Sequence, residues 1–292
     1  KCERKFCWTY IGSSQTVFKL ENRISLLAFF INMKILYAFE STRQFFYHDL
    51  LVLKLAADGH MIYLKFAQDS YNRKSLSAVK KIIKKYPRIK VGFLIKRKGI
   101  LWRIILLIRD LLTLSNYLNQ SGQSPHYLRR WENYLGNGKY LIRFSLIKKI
   151  IKSSFFVKIF SYLDLAYPTD KLIKRYLIDN QINIVIATPA NKHYSQEIEY
   201  IKAARKIGLL SVIPVISWDN LTTKGLFHTK PDLLLVWNKI QQKEAVNYHK
   251  ISPQTIKITG SLFFDKWFIK KFKNTNKKIY KDLNLHENNY LV

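Results

Sequence analysis

NIVIATPA at residues 183–190, SVIPVISW at 211–218 and DLLLVWN at 232–238 are three short, almost continuous apolar runs, and their reading decides the fold. Runs of this length, rich in Val, Ile and Leu, suit strands buried on both faces of a parallel sheet. Amphipathic helical patterns at residues 195–207 and 239–249 separate them. Strand, helix and strand in repetition is the βαβ unit, so the expected fold class is α/β, a parallel sheet flanked by helices. Each run ends in a polar tip, and strand ends are where open α/β sheets place their chemistry. The middle tip is the richest, reading SWDNLTTKG from Ser217 to Gly225.

The same pattern opens at Met33. Lys-Ile-Leu-Tyr-Ala-Phe from Lys34 reads as a first strand, followed by a tip at Glu40, Ser41 and Thr42 and an amphipathic helix to about Asp58. Gly59 then stops the helix, and a second strand is expected over residues 61–66. Residues 1–32 lack such order and are expected to be an upstream extension, non-native or disordered; no small-residue cleavage site marks them as a signal peptide. Residues 33–265 are expected to form one domain. Residues 266–292 are basic and Asn-rich, then turn apolar, which predicts a linker and the first strand of a truncated second domain.

Fifty Lys and Arg against 19 Asp and Glu give a formal net charge of +31, while 48% hydrophobic and 24% charged residues describe a folded chain. The excess invites an anionic partner. A chain rich in Lys, Ile, Asn, Phe and Tyr also arises from low-GC coding, so charge alone leaves both readings open. The cations are concentrated in two acid-free runs, between Asp69 and Asp110 and over residues 133–163. In the second, Lys148, Lys149, Lys152 and Lys158 interleave with Leu146, Ile147, Ile150, Ile151 and Phe155. Drawn as a helix, it has one basic and one apolar face, suited either to an anionic membrane surface or to packing on the chain's own sheet.

Only Cys2 and Cys7 are present, which excludes a disulfide framework and fits a reducing, cytoplasmic setting. No apolar run reaches the roughly 18 residues of a spanning helix. Seven His without HExxH or paired-Cys spacing leave no metal site, and the first strand's tip lacks the glycines of a dinucleotide fingerprint.

Ala187-Thr188-Pro189, Ala203-Ala204-Arg205-Lys206-Ile207-Gly208, the SWDNLTTKG tip, Pro231-Asp232, Val236-Trp237-Asn238 and Thr259-Gly260 followed by Phe264-Asp265-Lys266-Trp267-Phe268 together resemble a poorly characterised bacterial group of glycosyltransferase-like proteins of GT-B architecture. The resemblance is dense after about residue 182 and loose over residues 89–170. It implies an N-terminal, acceptor-side Rossmann-like domain, with a second such domain supplying most of the nucleotide-sugar site. The activity implied is transfer of a glycosyl group from a nucleotide sugar to an acceptor hydroxyl, in surface polysaccharide or glycolipid synthesis. No tightly bound cofactor is implied, and the partners are the nucleotide sugar and a carbohydrate or lipid-linked acceptor, at the inner face of a membrane. Related architectures leave glycerophosphate transfer and nucleotide-sugar epimerisation open. The rival class is a non-catalytic basic protein gripping membrane or nucleic acid; no recognition-helix, RNP or zinc-finger pattern supports nucleic acid.

At the tips, Asp219 is the first candidate base toward an acceptor hydroxyl and Glu40 the second. Lys224 offers an ammonium for a phosphate, and Asn220 and Thr222 offer groups to orient a sugar. The competing reading is a structural turn, with Asp219 or Asn220 capping a helical turn and Trp218 packed underneath. Arg43 or His48 is a candidate anion contact, while Ser41 or Thr42 is also a plain helix cap. After the run at 183–190 come His193, Ser195 and Gln196, with Ser195 expected to cap a helix whose N-terminus favours anions. Gly260 ends a further strand, where its lack of a side chain permits close approach.

Overall fold

The computed structural model describes residues 32–120 and 124–269, so the expectations for residues 1–31 and 270–292 lie outside the described residues. Seven strands, β1 Lys34–Phe39, β2 Met61–Phe66, β3 Ile89–Phe93, β4 Ile184–Thr188, β5 Leu210–Pro214, β6 Leu233–Val236 and β7 Ile256–Ile258, form one sheet in the order β3-β2-β1-β4-β5-β6-β7. Every neighbouring pair is parallel. The helices are α1 Thr42–Ala57, α2 Ser70–Ile83, α3 Ile100–Leu118, α4 Pro125–Tyr134, α5 Ser145–Lys152, α6 Ser154–Ala166, α7 Lys171–Asp179, α8 Glu197–Lys206, α9 Asn220–Thr223, α10 Lys239–His249 and α11 Leu262–Ile269. This is a Rossmann-like α/β fold, and no described helix is long and apolar enough to cross a membrane.

Alternation along β1 makes the sheet two-sided. Ile35, Tyr37 and Phe39 pack with Phe45 and Val52 of α1 and with Val79 and Ile83 of α2. Leu36 and Ala38 point the other way, onto Ile173 and Leu177 of α7 and Ile198 and Ile201 of α8. Each large apolar side chain so buried contributes on the order of 1.5–3 kcal/mol, and Leu36, with no exposed surface, is one that Ala would replace by a cavity. The first crossovers therefore cover one face and the later ones the other. The order reverses between β1 and β4, which opens a crevice beyond their C-terminal ends.

Local chemistry sets the helix starts. Ser41 caps α1 in a reciprocal box: its hydroxyl accepts from Arg43 N, and its own N–H donates to Gln44 Oε1. Asn238 caps α10 by accepting from Gln241 N at 3.0 Å. The pattern beginning at residue 195 becomes a helix only at Glu197, and its N-cap is Gln196, whose side chain makes no capping bond. Ser195 is instead drawn into a turn in which its N–H donates to Lys192 O, beside Tyr194 at φ 60°. At the other end, α11 runs to Ile269 across the domain boundary expected after residue 265.

Between β3 and β4 the chain builds α3 to α6, a helical insertion with its own apolar cluster around Leu114, Tyr117, Trp131, Ile151 and Phe156. The basic amphipathic stretch drawn as one helix, for a membrane surface or for the chain's own sheet, is two, α5 and α6. Ser153 divides them, donating to Ile150 O and capping Phe156 N. They lean on α3 rather than on the sheet, pinned by a Ser115 Oγ–Ile151 O bond of 2.7 Å. Buried charges tie the insertion to α8: Glu199 holds Arg109 at 2.8 Å and Arg97 at 2.6 Å, and Asp164 holds Arg109 Nε at 2.8 Å. Removing one member would strand the others in low dielectric, at a cost of about 3–5 kcal/mol.

Candidate functional site

The strand tips on either side of the sheet reversal meet. Glu40, just after β1, lies 2.6 Å from Lys192 in the loop after β4, and its carboxylate also accepts from Gln44 Nε2. That loop is shaped by a cis Thr188–Pro189 bond and by Ala190 and Tyr194 at positive φ, a conformation held by its surroundings. Beside it lies a small cleft, walled by α3 with Asp110 and Thr113, by Trp131, by the loop from Ala190 to Ser195, and by Gly225 and His228.

Within this cleft His193 Nδ1 lies 2.8 Å from Asp110 Oδ1. Tyr134 stacks on the imidazole at 4.1 Å, and Tyr194 tilts against it at 3.7 Å. The ring is thus held in place, with a side-chain exposure of 13%. A carboxylate at Nδ1 selects the tautomer that carries its proton there, and Nε2 keeps a free lone pair. Burial pushes the Asp110 carboxyl above its ordinary value, while the hydrogen bond and charge of His193 pull it back. A carboxylate, an oriented imidazole and an open cleft are the parts of a general base.

A second acid sits behind the loop. Glu197 is fully buried; its Oε1 accepts from Ala190 N at 3.3 Å. Burial first, and the charge of Glu40 second, raise it to about 7. Its Oε2 and the buried Ser195 hydroxyl fall outside strict hydrogen-bond geometry, yet Ser195 is near enough to pull the carboxyl back down in part.

The groups of the SWDNLTTKG tip are bonded largely to one another, as in the structural-turn reading. Asp219 accepts from the Ser217 and Thr223 hydroxyls at 2.6 and 2.7 Å and from Lys224 Nζ at 3.0 Å. Burial would raise its carboxyl, yet these donors outweigh it and bring the value down to about 2. A carboxylate so well satisfied is a weak base, and Lys224 is engaged with it rather than free for a phosphate. Asn220 has no exposed surface: its Nδ2 donates to Asn191 Oδ1 at 2.6 Å, and Asn191 Nδ2 returns a bond to Asn220 O at 2.8 Å. It braces two loops and is not presented to a sugar. The backbone of Thr222 accepts from Tyr117 Oη at 2.6 Å, and that of Thr223 from Arg130, so the tip docks onto the helical insertion. Trp218, expected underneath, is 73% exposed. Gly225 explains the close approach: a Cβ there would stand 2.9 Å from both Asn191 O and the Trp131 ring.

The remaining candidates scatter. Gln196 Oε1 accepts from Arg97 N, bracing the chain after β3. Arg43 Nε donates to Tyr71 Oη at 2.9 Å, on the α2 side. His48 is buried against Tyr37 Oη, and burial lowers it to about 4, so it is neutral and no anion contact. Gly260, at φ 77°, borders a separate hollow lined by Tyr47, Trp237 and Phe263. Of the expected residues, the first cleft gathers His193 and Ser195, and Lys192 links Glu40 to them. Asp110 and Glu197 were missed. Asp110 was visible as an Arg-Asp pair inside an otherwise apolar helix, ILWRIILLIRDLLTL, and Glu197 follows directly on the Ser195-Gln196 tip.

Among the described residues no group of three or more His, Cys, Asp and Glu is placed to hold a metal ion. No protein-family model matches the chain, and no curated protein matches it.

Proposed function

We propose that this chain is the acceptor-side part of a glycosyl-transfer enzyme, with His193 as general base and Asp110 as the residue that positions it. The observation carrying the reading is the 2.8 Å His193–Asp110 contact in a cleft beside the sheet reversal. The family resemblance of the strand-tip motifs supplies the reaction class; fold alone would not. An acceptor hydroxyl hydrogen-bonds to Nε2, which takes its proton as the oxygen attacks the anomeric carbon. The bond from that carbon to the donor's phosphate oxygen breaks, and the nucleoside diphosphate leaves with the electron pair. Asp110 stabilises the imidazolium that forms. Glu40, Asn220, Thr222 and Lys224 serve in this account as the frame of the loops.

The test is turnover of a panel of nucleotide sugars with simple sugar acceptors, read as nucleoside diphosphate release, for the enzyme carrying both the acceptor-side and the nucleotide-sugar domain and for its His193→Ala variant. The account expects acceptor-dependent release and a fall of about 10²–10⁴-fold in kcat on substitution. Unchanged turnover in a folded His193→Ala protein would refute it.

A further inference from the structure

We infer that α5, α6 and the turn before them form a docking face for an anionic phospholipid surface. The outward side of these helices carries an apolar stripe that nothing described covers. On α6, Phe155, Ile159 and Tyr162 follow one another at i, i+4 and i+7, with Phe155 73% and Tyr162 69% exposed. On α5, Leu146 and Ile150 are four residues apart, and Phe144 precedes them, all exposed. This is not the helices' core side turned loose. The inward side of α6 is already occupied, with Phe156 and Phe160 stacked at 4.1 Å beneath it, and α5 sends Ile151 into the same cluster. A surface helix with one packed apolar face has no structural need for a second.

Charge selects the occupant. Arg143, Lys149, Lys152 and Lys158 are exposed among these apolar residues, and the acid that ends the run, Asp164, is buried in the ion network. Apolar side chains interleaved with cations are the composition that enters the headgroup region of an anionic bilayer. A nucleic acid would answer the cations but leave Leu146, Ile150 and Ile159 in water. A second copy of a chain with a formal net charge of +31 would set these cations against each other. The Ser115–Ile151 bond and the Asn119 Nδ2–Lys152 O bond fix α5 on α3, so the face is preformed. The proposal does not depend on what the cleft catalyses.

The experiment is sedimentation of the whole protein with vesicles of phosphatidylcholine alone and of equal parts phosphatidylcholine and phosphatidylglycerol. Binding is expected to the mixed vesicles and to weaken with added salt. Because the substituted side chains are exposed, Phe155→Ser with Tyr162→Ser should fold normally and lose about tenfold or more in partitioning. Replacing Lys149, Lys152 and Lys158 by Gln should cost about fivefold for each cation removed. No binding, equal binding to neutral vesicles, or indifference to both sets of substitutions overturns the proposal. So does self-association that the Phe155 and Tyr162 changes abolish while vesicle binding is absent.

Discussion

Glu40 and Lys192 join across the sheet reversal at 2.6 Å, and the fully buried Glu197 lies close enough to feel the Glu40 charge. One side of the loop after β4 is therefore a partly exposed ion pair, and the other a carboxyl whose ionisation burial delays to about pH 7. The pair, about a third exposed on each side chain, is itself worth little in stability. The buried acid is worth more.

With its folded value raised to about 7 from 4.5, Glu197 contributes stability that is fully present below about pH 4.5 and is lost as pH rises through 7. Glu197→Gln keeps the acceptor for Ala190 N without the charge. It should change stability little at pH 4.5 and stabilise at pH 8, by up to about 3 kcal/mol. Denaturant melts of both proteins at the two pH values check this; an equal difference at both would refute it.

Asn220→Ala removes a buried amide whose Nδ2 donates to Asn191 Oδ1, while the return bond to the Asn220 backbone carbonyl stays. Asn191 Oδ1 is then left without its 2.6 Å donor. The expected cost is about 2–4 kcal/mol, read as a lowered midpoint in denaturant. A cost under about 0.5 kcal/mol would mean that the two loops are not braced this way.

Asp219→Asn separates the two accounts of the SWDNLTTKG tip. The structure makes Asp219 the acceptor for Ser217, Thr223 and Lys224, so the variant should melt lower by about 1–3 kcal/mol and keep turnover within about fivefold. A drop in kcat of a hundredfold without loss of stability would return the role of base to Asp219.

Six of the seven strands were legible because their signals are local; β3, in the cationic run after Asp69, was not singled out. Met61 to Phe66 and Lys239 to His249 occupy the spans that their periodicity predicts, and Ser41 caps as its position suggests. The cleft was legible only in part, because its contacts are made across long loops. Asp110 and His193 are 83 residues apart, and Asn191 and Asn220 are 29 apart, so no spacing rule joins them. A cluster as polar as Ser217 to Gly225 looks chemical in sequence; in space its groups satisfy one another. The helical insertion was the least legible part, since an amphipathic pattern states which face is apolar and not what covers it.

The central claim is that His193 and Asp110 act as one unit, and a double-mutant cycle on kcat tests it most directly. In the enzyme carrying both domains, Asp110→Asn, His193→Ala and the double variant would be compared in acceptor-dependent nucleoside diphosphate release, with thermal melts confirming that each is folded. The account predicts that each single change costs about 10²–10⁴-fold and that the double variant is no worse than His193→Ala alone. Losses that multiply, or an Asp110→Asn protein as active as the parent, would contradict it.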